Sequence, residues 1–295
     1  MKYFFSCIML VVGLNNVTAS DNVFTHKVGP FEVILLSEGQ GTGNSSIFVG
    51  ATPEMIQRAV PTGTFPNSCN AFLVRMGNAN ILIDTGRNAD ILLENLKSAG
   101  VSPEQIHEVY ITHVHGDHIG GLIKNDRAVF PNATLHLSQA EHDFAMNGEA
   151  RNANARNMIE AYRLRLNLFE PKEIDDAQPV WLQSYVNRLV IEGGISAIAA
   201  YGHTPGHTMF MVEYGNEKLI IWGDLTHAMA IQMPYPQVAM TYDLNPEMAI
   251  AARKKVLEYV AANNITIAGM HIAFPGMGKI TKTSDAGYTY TPVNF

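Results

Sequence analysis

Cysteine is scarce: the 295 residues include 2, Cys7 and Cys69. Cys7 lies in an N-terminal stretch, residues 1–20, that reads as a secretory signal. Lys2 supplies the positive start, Tyr3 to Leu14 the apolar core, and Val17-Thr18-Ala19 small residues for cleavage. Cys7 has too little apolar sequence before it for a lipid-anchored start. Loss of this stretch leaves Cys69 alone, so the exported chain 21–295 is expected to form no internal disulfide and to bind metals without thiolates. Long hydrophobic runs are missing as well. The apolar core of the leader is far shorter than the roughly 20 residues a bilayer span needs, so no membrane association is expected after cleavage and the destination is periplasmic or secreted. Positive charge is in deficit, with 20 Lys and Arg against 27 Asp and Glu, a formal charge of −7 that becomes one unit more negative once Lys2 is gone. Such a surface repels a polyanion, which excludes nucleic acid as a partner. No linker, low-complexity tract or evident repeat divides residues 21–295, which are enough for one domain with a sizeable core.

Apolar runs mark the strands. Phe31–Leu36, Asn70–Arg75, Ala79–Ile83, Thr134–Leu137, Arg188–Ile191, Ala197–Tyr201, Met209–Tyr214 and Lys218–Trp222 are predicted to be extended. Helices are predicted at Pro53–Val60, inside an otherwise irregular Gly- and Ser-containing stretch suited to covering a site, at Ala89–Ser98 before Gly100, and at Glu149–Leu168. Asn245-Pro246-Glu247 opens a further helix to about Ala262, with cap, proline and first-turn acid in place. Ser138 and Glu141 have the spacing of a capping box.

Four possible metal ligands crowd into six residues, His113-Val114-His115-Gly116-Asp117-His118, directly after the apolar run Val109-Tyr110-Ile111-Thr112. His113 and His115, two apart at the end of an extended segment, project the same way and can share one tetrahedral cation. Asp117 and His118 follow where the chain turns and can reach a second. Metal pairs about 3.5–4 Å apart recur in enzymes that drive water onto an ester, amide or phosphate. Further ligands are needed, and three candidates stand at the tips of buried-strand patterns: His203 after Ile195–Gly202, Asp224 after Leu219–Gly223, and His271 after Ile265–Met270. Strands of a sandwich deliver such residues to one shared edge.

With His-x-His-x-Asp-His intact, and with Ile83-Asp84-Thr85-Gly86, Gly202-His203-Thr204-Pro205-Gly206-His207 and Gly223-Asp224, the sequence resembles the metallo-β-lactamase-fold hydrolase superfamily over all of residues 21–295. Its C-terminal third is similar to the methyl parathion hydrolase and lactonase-like branch, through Gly223-Asp224-Leu225-Thr226-His227, the run His271–Gly278 and the ending Pro292-Val293-Asn294-Phe295. The resemblance implies an α+β four-layer αβ/βα sandwich, two facing sheets with helices outside. It assigns His113, His115 and His203 to one metal and Asp117, His118 and His271 to the other, with Asp224 bridging both. Two zinc ions per chain are the expected cofactors, because imidazole and carboxylate suit zinc; manganese, iron or cobalt fit the same ligands. A homodimer is common in the branch the chain resembles.

The remaining candidates are weighed one by one. His203, nearer its strand end, is expected to be the ligand of the two histidines in its loop, leaving His207 a structural hydrogen bond. His227 stands open between lining the pocket and hydrogen-bonding a ligand. Asp84 is expected to orient a ligand imidazole through its other nitrogen. His26, His107, His136 and His142 are assigned no catalytic role, and Arg151, Arg156, Arg163 and Arg165 are assigned to solvated faces. Phe65, Phe274 and Met277 belong either to an apolar pocket or to the core. Two cations sharing a solvent molecule lower its pKa to about 7 or below, making the bridging hydroxide the nucleophile, with Asp117 as the catalytic carboxylate that orients it or takes a proton. No serine elbow is present.

Flavin-dependent di-iron members carry Glu where this chain has His115, and many true β-lactamases carry Cys where it has Asp224. The expected substrate is therefore a neutral, fairly apolar small molecule, a lactone or aryl ester first and an organophosphate triester by the branch resemblance. β-Lactam hydrolysis is the enzymatic alternative. A non-catalytic zinc-binding protein is the alternative of another class; structural zinc sites are closed by four protein ligands, usually including Cys, whereas each shell here leaves room for solvent.

Overall fold

The computed structural model describes residues 22–148, 150, 153–175, 193–285 and 287–294. Residues 1–20, read from the sequence as a secretory signal, and the strand predicted at Arg188–Ile191 lie outside them, as does Arg151. Two sheets carry the architecture. The first has seven strands in sequential spatial order: β1 (Val23–Val28), β2 (Phe31–Asn44), β3 (Thr64–Met76), β4 (Ala79–Ile83), β5 (Glu108–Tyr110), β6 (Thr134–Ser138) and β7 (Leu166–Phe169). The second has six: β8 (Gly193–Ala199), β9 (Thr208–Tyr214), β10 (Glu217–Ile221), β11 (Thr266–Ala268), β12 (Met277–Lys282) and β13 (Tyr288–Pro292).

Each central strand is apolar on both faces, and this dictates four layers. Val33, Leu35, Phe72, Val74, Ile81 and Ile83 meet Phe210, Val212, Leu219 and Ile221 between the sheets. The alternate residues face outward. Ile34, Leu73 and Leu82 pack beneath Leu92 and Leu96 of helix α2 (Ala89–Ser98), within a cluster that also holds Phe144 and Met158. On the other side Met209, Met211, Ile220 and Trp222 join Val256, Leu257 and Val260 of a long C-terminal helix (Pro246–Ala262). Strands with helices on one face and a second sheet on the other read as continuous hydrophobic runs, which is the pattern seen in the sequence. The αβ/βα sandwich expected from the resemblance is the fold observed.

Parallel pairing sets the working edge. The pairs β4–β5, β5–β6 and β6–β7 are parallel in the first sheet, as is β10–β11 in the second. The C-terminal ends of β4, β5, β10 and β11 are followed by Asp84, the His113–His118 motif, Asp224 and His271 in turn.

Three expectations need correction. β2 and β3 run on as a paired ribbon, Gln40↔Ser68 to Asn44↔Thr64, beyond a register shift between Ser37 and Gln40, where an irregular stretch was predicted. Cross-strand pairing extends a Gly-rich segment that has no hydrophobic period of its own. The ribbon and helix α1 (Pro53–Ala59) build a small cap, whose core includes Val60, Phe65, Ile231, Val238 and Met240. Of the helix predicted over 149–168, the described part is α-helical at Ala153–Tyr162 and a 3-10 turn at Arg163–Arg165; Leu166–Phe169 is strand, paired with Leu135–Ser138. Edge pairing there overrides a helical spacing. Finally, Ser138 caps its helix (Gln139–Met146) by accepting from Glu141 N, but the Glu141 side chain reaches elsewhere and the capping box stays half formed.

Candidate metal centre

The seven residues singled out in the sequence converge at this edge. His113 and His115 leave the turn after β5, and Asp117 and His118 sit on the short helix Gly116–Ile119. His115 Nδ1 lies 3.0 Å from both His113 Nε2 and His203 Nε2. Asp224 Oδ2 is 3.2 Å from His203 Nε2 and 3.6 Å from His113 Nε2. Its other oxygen, Oδ1, is 3.2 Å from both His118 Nε2 and His271 Nε2. Asp117 reaches the second set, 3.8 Å from His118 Nε2 and 3.7 Å from His271 Nε2. Among the described residues three groups able to hold a cation result, the potential ligand atoms of each lying within 4.8 Å of one another: His113, His115, His203 and Asp224 on one side, Asp117, His118 and His271 on the other, and Asp224, His227 and His271, which shares its members Asp224 and His271 with the first two.

Metal ions fit this donor set better than hydrogen bonds do. A tetrahedron with metal–ligand bonds of about 2.0–2.1 Å has edges of about 3.3 Å, the range of the separations above. The outward nitrogens of four imidazoles already have acceptors: His118 Nδ1 with Asp84 Oδ2 at 2.6 Å, His203 Nδ1 with Asp243 Oδ1 at 2.8 Å, His271 Nδ1 with Ser68 O at 2.9 Å and His113 Nδ1 with Thr112 Oγ1 at 3.0 Å. Protons held outward leave the inward nitrogens as lone pairs aimed at a shared point. His118 Nε2 and Asp224 Oδ1, both buried, find no hydrogen-bond partner.

Electrostatics agree. Burial, followed by the charge of His118, holds His113 well below the ordinary histidine range, and burial with His203 beside it lowers His115 to about 4. Burial would depress His118 too, but Asp224, Asp84 and Asp117 raise it well above that range. Burial alone would raise the Asp224 carboxyl, yet His118, His271, His227 and His113 hold it far below the usual carboxylate value. Imidazoles this close cannot all be protonated, whereas a divalent cation satisfies them together with the carboxylates.

The supports come from far away in sequence. Asp84, in the left-handed conformation (φ 56), accepts from Thr112 N at 2.8 Å and Thr112 Oγ1 at 2.7 Å besides binding His118, the orienting role expected of it. Asn70 donates to Gly269 O and Ile272 O, 3.0 and 2.9 Å away, fixing the His271 turn on the opposite sheet. Glu141 is fully buried; Oε2 accepts from Val114 N at 3.0 Å and Oε1 from Gly206 N at 2.8 Å, so one carboxylate joins the His113–His115 turn to the His203 loop. Arg253, 1% exposed, donates to Leu225 O, Pro236 O and Val238 O and stands 3.8 Å from Asp243. None of Ser68, Asn70, Glu141, Asp243 and Arg253 was assigned to the site from sequence, and only the proline-opened helix and the Ser138 cap hinted at where two of them sit.

His207 points away from the ligand atoms. Its Nδ1 meets Ala200 O at 3.0 Å, and Nε2 accepts from Asp224 N at 2.9 Å, the structural hydrogen bond expected of it. That approach requires Gly223, at φ 56, where an added Cβ would stand 2.5 Å from His207 Nε2. His227 Nε2 lies 2.9 Å from Asp224 Oδ2, and the ring also lines the cavity over the centre, so it combines the two roles left open. That cavity, about 590 Å³, is bordered by Asn44, Ile47, Arg87, His115, Asp117 and Tyr242, among others. Phe65 and Met277 are core, and Phe274 packs edge-on against Phe24. His136 is engaged by Glu108 at 2.5 Å, away from the centre.

Known proteins agree with this geometry. Residues 64–271 match the metallo-beta-lactamase superfamily. The metallo-beta-lactamase domain-containing protein 1 of Rattus norvegicus is 30% identical over 209 residues, which cover 70% of this chain and 66%, just under two thirds, of that protein. Among solved structures, the hydrolase AbOPH of the beta-lactamase superfamily superposes with a TM-score of 0.78 at 26% identity, covering 93% of this chain and 98% of its own. AidC, described as a dizinc quorum-quenching lactonase in complex with an N-acyl-L-homoserine product, gives 0.77 at 25% identity with the same coverage. The chain belongs to the metallo-beta-lactamase superfamily.

Proposed function

We propose that this chain is an exported dinuclear zinc hydrolase that cleaves ester-like bonds in neutral, fairly apolar small molecules, lactones or aryl esters first. The observation that carries the reading is the pair of ligand groups meeting at Asp224 on the floor of an open cavity of about 590 Å³. The likeness to AidC over nearly the whole chain supports the dizinc and lactonase parts. His113, His115 and His203 would hold one ion, Asp117, His118 and His271 the other, and Asp224 both. Bound there, the two ions supply an acidified water and a Lewis acid for the carbonyl or phosphoryl oxygen.

The protein's own groups do the rest. Asp84, Asp243 and the Ser68 carbonyl fix three imidazoles so that their lone pairs face inward. Burial and Asp224 would raise the Asp117 carboxyl, but His118, His271 and a backbone N–H hold it below the ordinary carboxylate range, so it stays ionised and able to orient water or accept its proton; Arg87 stands 3.9 Å from Oδ2. Tyr242 and Ile47 border the opening and give the substrate an apolar wall. Organophosphate triester cleavage follows as a side activity from the resemblance of the C-terminal third. The test is the purified protein, chelated and reconstituted with zinc, on a panel of lactones, paraoxon-like esters and nitrocefin, with His113→Ala and Asp224→Ala beside it. Zinc-restored turnover of the first two classes, abolished in both variants, supports the reading. Turnover of nitrocefin alone would make it a β-lactamase, and two bound metals without turnover would make it a binding protein.

A further inference from the structure

A second concavity adjoins the metal-facing cavity and shares one wall with it, the His115 side chain, which lines both. Its volume is about 700 Å³, and its remaining border includes Phe144, Pro205, Leu244, Asn245 and Met248. Among the described residues no Asp, Glu, Lys or Arg lines it. Leu244 is 55% exposed and Met248 47%, and Tyr242, 37% exposed, lines the adjoining cavity, so half of the six large hydrophobic side chains exposed among the described residues border the two cavities. Solvent-facing apolar side chains gathered beside a cavity mark a surface with an occupant.

The walls are fixed to the metal loops. Leu244 N donates to His203 O at 3.1 Å and Asn245 N to Gly202 O at 2.8 Å, while the Asn245 side chain caps the helix on which Met248 sits. Phe144 stands on the same helix as Glu141, whose carboxylate holds Gly206. The groove is therefore built into the frame of the centre and does not depend on a separate element folding over it. A concave trough beside the metal-facing cavity, bordered by His115 and without a charged side chain among its described lining, suits a flexible hydrocarbon attached to the reacting group, since a protein partner would need a broader face.

We propose that this groove holds the aliphatic arm of an ester or lactone whose scissile carbonyl sits in the adjoining cavity, an inference that rests on the hydrolase reading above. Substrates with a hydrocarbon arm of medium length are then preferred over acetyl-sized ones, and Leu244, Met248 and Phe144 set the length.

Binding of product-like carboxylates tests this without requiring turnover. Acetate, hexanoate and decanoate are titrated calorimetrically into the zinc-loaded protein, its Leu244→Asp and Met248→Asp variants, and Leu164→Asp, which changes an exposed residue (85%) outside the groove. Burial of a methylene is worth up to about fourfold in affinity, so decanoate should bind at least about tenfold more tightly than hexanoate to the wild type and to Leu164→Asp. In the two groove variants that ratio should fall below about threefold. A flat ratio in the wild type, or an undiminished one in both groove variants, overturns the proposal. So does an undiminished ratio in Leu244→Asp coupled with dissociation of a dimer, which would make the face an interface between copies. Turnover of acetyl and decanoyl p-nitrophenyl esters is scored separately. A length-dependent carboxylate affinity with no turnover would defeat the hydrolase reading and leave the groove standing; turnover with a flat affinity would do the reverse.

Discussion

Replacing Glu141 by Gln keeps the shape of a fully buried side chain and removes half of what it does. The carboxylate accepts one backbone N–H on each oxygen, from Val114 at 3.0 Å and Gly206 at 2.8 Å. A carboxamide offers a single carbonyl, so one of these N–H groups would face an NH₂ in a site closed to water. An orphaned buried donor costs about 1–3 kcal/mol, and the surviving bond, no longer charge-assisted, weakens by up to about half. Burial pushes the Glu141 carboxyl above the usual carboxylate range, so removing the charge returns part of that desolvation cost. The net expectation is a loss of roughly 2–3 kcal/mol for Glu141→Gln, and more for Glu141→Ala, which orphans both donors and leaves a cavity. Because both tethered loops serve the His113, His115 and His203 side, zinc there should weaken while Asp117, His118 and His271 keep theirs. Urea denaturation of the metal-free protein measures the first effect, and zinc per chain after dialysis against a competing chelator measures the second. A variant within about 0.5 kcal/mol of wild type that retains both metals would refute the reasoning.

Asp243→Asn removes the charge that orients His203 through a 2.8 Å contact, and zinc affinity on that side should drop about 10–100-fold in a chromophoric chelator competition; an unchanged affinity would count against the role given to Asp243. Arg253→Met takes the donor from the Leu225 and Pro236 carbonyls, while Val238 O keeps Gln232 Nε2, and leaves Asp243 without that cation, so chemical denaturation should show a loss of roughly 3–5 kcal/mol, and a loss below about 1 would contradict the accounting. Tyr162 accepts from Phe130 N and donates to Leu122 O, both at 3.2 Å, and burial pushes its phenol up from 10.0 to about 12. Because the folded state holds the proton more tightly, that stabilisation is intact below the unfolded value and fades as pH rises toward the folded one. The advantage of wild type over Tyr162→Phe, about 2 kcal/mol at neutral pH, should therefore shrink as alkalinity crosses that window, and a constant gap in pH-dependent unfolding would show the shift to be absent.

What could be read in advance follows from the range of the interactions. The seven converging side chains stand directly after apolar runs, and four of them share one short motif, so local pattern and family resemblance sufficed to bring them together. Their supports were hidden because each acts across the fold: Glu141 on Val114, Asp243 on His203, and Ser68 on His271 from the other sheet. Short-range logic gave Glu141 a capping role, and tertiary contact assigned it to two loops instead. The layered sandwich was legible because strands buried on both faces carry unbroken apolar sequence. The β2–β3 ribbon was not, since Gly39 to Gly43 have no period of their own, and neither was Leu166–Phe169, whose helical spacing yields to a parallel neighbour.

The central claim, that one carboxylate and two clusters of side chains hold a pair of metal ions, is tested most directly by anomalous scattering at the zinc edge from crystals of the purified protein. The account predicts two peaks about 3.5–4 Å apart on either side of Asp224, one beside His113, His115 and His203 and the other beside Asp117, His118 and His271. A zinc-soaked crystal with no peak there, or with a single peak that leaves His118 and His271 unoccupied, would contradict it.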